Sequence, residues 1–356
     1  MLAAAVAASV TASAPAMAKD RDNNGRKAEP IVIGHRGASG YRPEHTLASY
    51  SLAARMGADF VEPDLVITKD GVLVARHEPE IEDTTDVENH PEFASRRTTK
   101  VIDGVSFEGF FVEDFTLAEL KTLRAEERIP ALRQENTIYN GRYAIPTFQE
   151  VIDLTRRLSR QLDREIGIYP ETKHPTYFRS IGKPLEEPLV RILRRNDLDG
   201  RRAKIFVQSF EVNNLKWLNR RIDAPLVQLL SSGSPADDSG RTYAEMATAA
   251  GLKDIAKYAD GVGPSKTYIV PRVANSEQPP TTFIRDAHRA GLLVHPYTFR
   301  NENSFQSLEK QNPGSPSDYG QAFAEYAQFF ALGVDGVFSD NPDTAVAARD
   351  DVLETG

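Results

Sequence analysis

The chain has 356 residues, 40% hydrophobic and 26% charged, with a formal net charge of −8. These values suit a soluble globular protein and argue against a general binder of nucleic acid or membrane surfaces, which needs a basic face. It has no cysteine, which excludes disulfides, zinc–thiolate sites and cysteine nucleophiles.

Residues 1–18, MLAAAVAASVTASAPAMA, are small and apolar and end in Ala16-Met17-Ala18. That pattern reads as the apolar region and cleavage site of a secretory signal, though it lacks a basic start. Lys19 to Pro30 is charged and irregular, and reads as a disordered linker. The expectation is a periplasmic or secreted protein. The apolar run is too short for a membrane span, so no stable membrane insertion is expected.

From Ile31 onward, short apolar runs alternate with helical patterns. The runs are Ile31–Gly34, Phe60–Leu65, Val72–Ala75, Ile166–Pro170, Ile205–Val207, Leu226–Leu229, Leu292–His295 and Gly336–Phe338, with a weaker one near Gly261-Val262-Gly263. Several are β-branched and short, as buried parallel strands are. Helices are expected over Glu44–Met56, Phe148–Leu162, Leu185–Arg194, Val212–Arg220, Thr282–Ala290 and Tyr319–Leu332. Repeated βα units of this number point to a single α/β domain over 31–350, a TIM (β/α)₈ barrel, with a doubly wound open sheet as the rival. Residues 79–146 break the rhythm. They are polar, with one expected helix at Thr116–Glu126, and read as an insertion after the third apolar run that sits near a barrel end.

Four segments carry chemistry. In IVIGHRGASGYRPEHT (31–46) a strand delivers His35 and Arg36 into a turn-rich stretch. Histidine moves protons near neutral pH, and arginine forks onto phosphate. In Val61-Glu62-Pro63-Asp64-Leu65 the two carboxylates lie two apart, so on a strand they face the same way. Two such charges repel unless a proton or cation sits between them, and hard divalent ions take oxygen ligands of this kind. In VLVARHE (72–78) a strand ends at His77, a second candidate for acid–base work. In IGIYPETK (166–173) Glu171 offers a third carboxylate and Lys173 a cation. Each feature alone has a plain structural explanation, as a solvated strand face, a surface histidine or an exposed Glu–Lys pair.

Together the segments resemble the glycerophosphodiester phosphodiesterase family. The marks are HRGASGYRPEHT (35–46), EPD (62–64), His77, ETK (171–173) and DGVFSDNP (335–342). YADGVGP (258–264) and GLLVHPYTFR (291–300) resemble the bacterial periplasmic branch. The resemblance implies a TIM barrel with an insertion after an early strand. It implies hydrolysis of glycerophosphodiesters such as glycerophosphocholine and glycerophosphoethanolamine to sn-glycerol 3-phosphate and an alcohol. It implies Glu62, Asp64 and Glu171 as metal ligands, His35 and His77 as the acid–base pair, and Arg36 and Lys173 as phosphate contacts. Two departures, His45 and Glu78, fall outside the expected ligand and acid–base sets. The cation is expected to be calcium rather than magnesium, because an irregular all-oxygen shell suits calcium. Gln208, Phe210, Tyr297 and Phe338, at other strand ends, are further candidates for substrate contact. His174 and His288 read as structural or exposed. The partner is a small-molecule diester, and a homodimer is compatible with the reading. Competing readings are a lipid or teichoic-acid phosphodiesterase on the same fold, a binding protein that lost catalysis, and an enolate-forming metal barrel.

Overall fold

The computed structural model describes residues 29–237 and 239–355, so the expected signal segment and most of the linker lie outside the described residues. The first strand, β1 (Ile31–His35), is paired in parallel on both sides. The second stave is broken by Pro63 into β2 (Phe60–Glu62) and β3 (Asp64–Ile67). After it come β4 (Leu73–Ala75) and the hairpin of β5 (Thr98–Ile102) and β6 (Val105–Gly109). The third stave is again split by a proline, into β7 (Gly167–Ile168) and β8 (Glu171–Thr172). Then follow β9 (Val207–Ser209), β10 (Leu226–Leu230) and β11 (Gly261–Pro264). A two-strand flap, β12 (Arg272–Val273) and β13 (Ser276–Glu277), precedes β14 (Leu293–Val294) and β15 (Gly336–Ser339).

Parallel pairing runs β15–β1–β2–β7 and β14–β11–β10–β9–β8–β3. The bridges Ile168–Ile205 and Phe299–Ser339 join these runs, so eight staves close into a barrel. Each stave is followed by a helix: α1 (Leu47–Arg55), α2 (Phe148–Leu162), α3 (Glu186–Arg195), α4 (Val212–Asn219), α5 (Ala249–Ile255), α6 (Phe283–Ala290), α7 (Ala322–Leu332) and α8 (Pro342–Thr355). This is the TIM-barrel architecture, and the open-sheet alternative is excluded. Inside the staves Ile33, Phe60, Tyr169, Val227 and Phe338 form a small apolar plug beneath the rim. Tyr169 satisfies its buried hydroxyl on His295 Nδ1 at 2.9 Å.

Two expectations are corrected. Val72–Ala75 is not a stave. It forms β4, which pairs antiparallel with β3 through Leu65↔Ala75, and the long insertion therefore follows the second stave. The expected helix at Thr116–Glu126 shrinks to one turn, Leu117–Leu120. A capping box at Thr116 starts it, but Ala125 donates to the Tyr143 carbonyl and bridges Thr85, which draws the chain out of the helix. Among the described residues no helix is long and apolar enough to cross a membrane.

Candidate active site

The staves deliver the site in two adjacent levels. In the ladder His35 is the neighbour of Glu62, and Asp64, Glu171 and Gln208 are successive neighbours at the next level. All lie at the C-terminal rim, where barrel enzymes place their chemistry. β3 overshoots the rim and β4 returns toward it, so that the Arg76 amide donates to the Asp64 carbonyl at 3.0 Å. The return places His77 beside the carboxylates.

The turn after β1 is unusual. Arg36 has φ 58° and His45 φ 54°, both left-handed without being glycine. Such conformations persist only where the surroundings enforce them. The enforcing contacts are present: the Arg36 amide donates to Glu62 Oε2 at 2.8 Å, and its guanidinium donates to Glu44 at 2.9 Å. Gly37 packs so closely on α1 that a Cβ there would stand 2.6 Å from the Ser49 carbonyl carbon. No larger residue fits without moving the helix.

Glu62, Asp64 and Glu171 each offer an oxygen within 4.8 Å of the others, and all three are buried. Burial first, and the charge of Asp64 next, push Glu62 well above the usual carboxylate range. Burial and Asp64 likewise raise Glu171, to about 8, against the pull of Lys173. Asp64 is held low despite its burial, by Lys173 and by a 2.9 Å hydrogen bond with His45 Nε2. Its other oxygen, Oδ1, is buried with no hydrogen-bond partner. Clustered, mutually repelling carboxylates and an orphaned oxygen are what a hard divalent cation relieves, and the donor set fits one.

Both histidines lean on carboxylates. His35 Nδ1 lies 2.6 Å from Asp340 Oδ1, and His77 Nδ1 contacts Glu78. Burial, then Arg36, lowers His35 to about 4 against the opposing pull of Asp340. Burial, then Arg36 and Lys173, hold His77 well below the ordinary histidine range. Lys173 Nζ sits 2.9 Å from Glu171 and 3.2 Å from His77 Nε2, and stays charged because Glu171 and Asp64 outweigh its burial. Burial thus favours the uncharged form of both rings, while the carboxylate at each Nδ1 favours a proton on that nitrogen and supports the imidazolium when it forms.

A cavity of about 360 Å³ opens above this layer. His35, Arg36, Glu62, His77, Glu171, Gln208, Phe210, Tyr297 and Phe338 line it. Asp64 and Lys173 lie directly behind that lining through their contacts with Arg36, His45, Glu171 and His77. Gln208 also donates to Glu62 Oε1 at 3.1 Å. The Tyr297 hydroxyl is used elsewhere, on the Leu230 carbonyl at 2.9 Å. His174 contacts Asp103 away from this cluster. His288, read from the sequence as structural or exposed, bonds Asp335 Oδ2 at 2.8 Å.

Sequence reasoning passed over the supporting layer. Asp340 and Glu78 hold the two histidines, and His45 holds Asp64. Arg128 reaches from the insertion to Glu44 at 2.6 Å and to Glu78 at 2.6 Å. Arg133 reaches Asp340 at 2.7 Å and Glu302 at 2.5 Å. The one available signal was the strand-end position of Asp340. Nothing in the local sequence marks the two arginines.

The family model of the glycerophosphoryl diester phosphodiesterase family matches residues 35–344. A glycerophosphodiester phosphodiesterase of Arabidopsis thaliana is 38% identical over 87% of this chain and 83% of its own. One of Bacillus subtilis is 31% identical over 88% of this chain and 84% of its own. Among solved structures, an Oleispira antarctica phosphodiesterase in complex with the product sn-glycerol-3-phosphate superposes with a TM-score of 0.59, at 22% identity, over 90% of this chain and 97% of that one. With the matched region running from His35 itself past Asp340, the chain belongs to the glycerophosphoryl diester phosphodiesterase family of enzymes.

Proposed function

We propose that the protein hydrolyses glycerophosphodiesters, glycerophosphocholine and glycerophosphoethanolamine among them, to sn-glycerol 3-phosphate and an alcohol, with a divalent cation at Glu62, Asp64 and Glu171. The observation that carries this reading is the gathering of three buried carboxylates, two carboxylate-backed histidines, Arg36 and Lys173 at one cavity or directly behind its lining. The product complex of the Oleispira antarctica relative supports the same product here.

A phosphodiester carries a negative charge that repels nucleophiles. Arg36 and Lys173 offset it and stabilise the charge that grows on the phosphoryl oxygens. The cation, when bound, adds positive charge to the same oxygens. One histidine, neutral, takes a proton from the attacking oxygen through Nε2, and the other enters the step as the imidazolium and gives its Nε2 proton to the leaving alkoxide. Asp340 and Glu78 hold each ring by Nδ1 and favour the imidazolium as it forms. The attacking oxygen is that of water or the glycerol 2-hydroxyl, and trapping of a cyclic glycerol phosphate would distinguish the two routes. Calcium is the preferred ion, since an irregular carboxylate set suits its flexible shell better than the octahedron of magnesium. The protein acts outside the cytoplasm in this reading, and amino-terminal sequencing of the exported form is expected to begin at Lys19.

The deciding assay is release of sn-glycerol 3-phosphate from glycerophosphocholine by chelator-treated protein, without metal and with calcium or magnesium. Release that needs a cation, is fastest with calcium and is lost in His35→Ala is the expected result. Absence of release with every ion overturns the proposal.

A further inference from the structure

The cavity has a second wall, on the far side of the mouth from the carboxylates. It is built by the segments after β11 and β14: Lys266, Thr267, Arg272, Arg300 and Phe305 all line the space. The charged groups lining this wall are all cations, Lys266 buried and the two arginines partly open. Their counter-charges sit behind them. Lys266 Nζ and an Arg272 nitrogen share a single oxygen, Glu325 Oε1, at 2.7 and 2.8 Å, and Glu325 is buried. Arg300 donates to Asp340 Oδ2 at 2.8 Å, but that carboxylate also serves Arg133 and His35. Three cations on the wall thus face two buried carboxylates, one of which is already shared with two other groups. Arg300 and Arg272 are only partly buried. The Arg300 guanidinium carbon lies over the Phe305 ring, 4.6 Å from its centroid, and both residues line the cavity. In a chain of net charge −8 this is a local reversal of sign.

We propose that this wall is the subsite for the leaving alcohol, and that it selects alcohols bearing a carboxylate or a second phosphate over neutral ones and over quaternary ammonium. A phosphate held between Arg36 and the carboxylate cluster leaves one substituent of the diester directed across the mouth, where it meets Arg272, Arg300 and Lys266. An anionic group there completes charge-assisted hydrogen bonds with exposed N–H donors of a planar guanidinium. A trimethylammonium group meets like charge and no acceptor. This selectivity rests on the phosphodiesterase reading above and adds a substrate class to it.

The test measures kcat/KM on four diesters of sn-glycerol 3-phosphate that share the glycerol and differ only in the alcohol: choline, ethanol, glycolate and phosphoethanol. The wild-type protein is expected to prefer the glycolate and phosphoethanol diesters over the ethanol diester by roughly tenfold or more, the scale of one charge-assisted hydrogen bond, and the choline diester is expected to be poorest. The preference should shrink as salt is raised. Arg272→Gln should remove most of the preference while leaving turnover of the ethanol diester within about twofold, because Arg272 touches none of the catalytic groups; Lys266→Met is the second variant if the first folds poorly. Equal rates on all four diesters, or a loss in Arg272→Gln that is uniform across them, overturns the subsite while the phosphodiesterase reading stands. No turnover of any of the four removes that reading itself.

Discussion

At the stave ends, His35, Glu62, Asp64, Glu171 and Gln208 are fixed by a parallel hydrogen-bond ladder, and each position follows from register alone. The connection between β3 and α2 has no such ladder at the site. It contributes by reach: β4 brings back His77, Arg128 ties Glu44 to Glu78, and Arg133 ties Asp340 to Glu302 and to the Ser39 carbonyl. The barrel places the reacting groups, and the connection holds the charges behind them. This division has an energetic side. A ladder position tolerates a changed side chain without moving its backbone, whereas removing one partner of a buried ion pair strands the other.

The largest effect is expected on the barrel side. Asp64→Asn should cost about a thousandfold or more in kcat/KM and abolish the rise in melting temperature on adding calcium, as loss of a cation site would. His35→Ala and His77→Ala come next, at roughly 10²–10⁴-fold in kcat with native circular dichroism. Equal losses in the two would show that ladder and connection serve the reaction alike. On the connection side, Arg133→Met should lower stability by about 3–5 kcal/mol in denaturant titration, because Asp340 and Glu302 lose a shared buried cation. It should also lower kcat by roughly 10–100-fold, the scale of lost outer support. A stability loss without a rate loss would confine Arg133 to folding.

The fourth expectation concerns pH. His35 is depressed to about 4 from 6.5, chiefly by burial. Between those values the unfolded chain binds more protons than the folded one, so His35 contributes stability above 6.5 that is lost as pH falls toward 4. Melting temperatures of chelated protein at pH 7 and 5 should show that loss, smaller in His35→Gln. The smallest effect is reserved for the exposed tip of the β5–β6 hairpin. Val101→Ser should stay within about 0.5 kcal/mol and leave the kinetics unchanged.

The same division governs what could be read from the sequence. Most staves announced themselves as short apolar runs, several with a chemical residue at the end, and all seven expected central residues meet at the cavity or directly behind it. Val72–Ala75 carries that signature too, yet is a return strand, because an apolar run records burial and not direction. α5 and α8 escaped: one is short, and the other carries four acidic residues and no clear apolar stripe. His45 and Glu78 were set aside as departures from the family pattern, although each holds a central residue. The roles of Arg128, Arg133, Lys266 and Arg272 depend on partners 50 or more residues away, and no local pattern encodes such pairs.

The closure of the barrel also settles how the molecule faces its surroundings. Residues Pro30 and Asp59 precede the starts of the first two staves, and Arg349, in the helix that descends from the last stave, bonds Asp59 at 2.9 Å and the Pro30 carbonyl at 3.4 Å. Both ends of the barrel chain therefore emerge together at the floor of the molecule, opposite the cavity mouth. A tether, fusion partner or resin linked to either end leaves the mouth turned outward, so the domain can be fixed to a surface and still meet its substrate from solution.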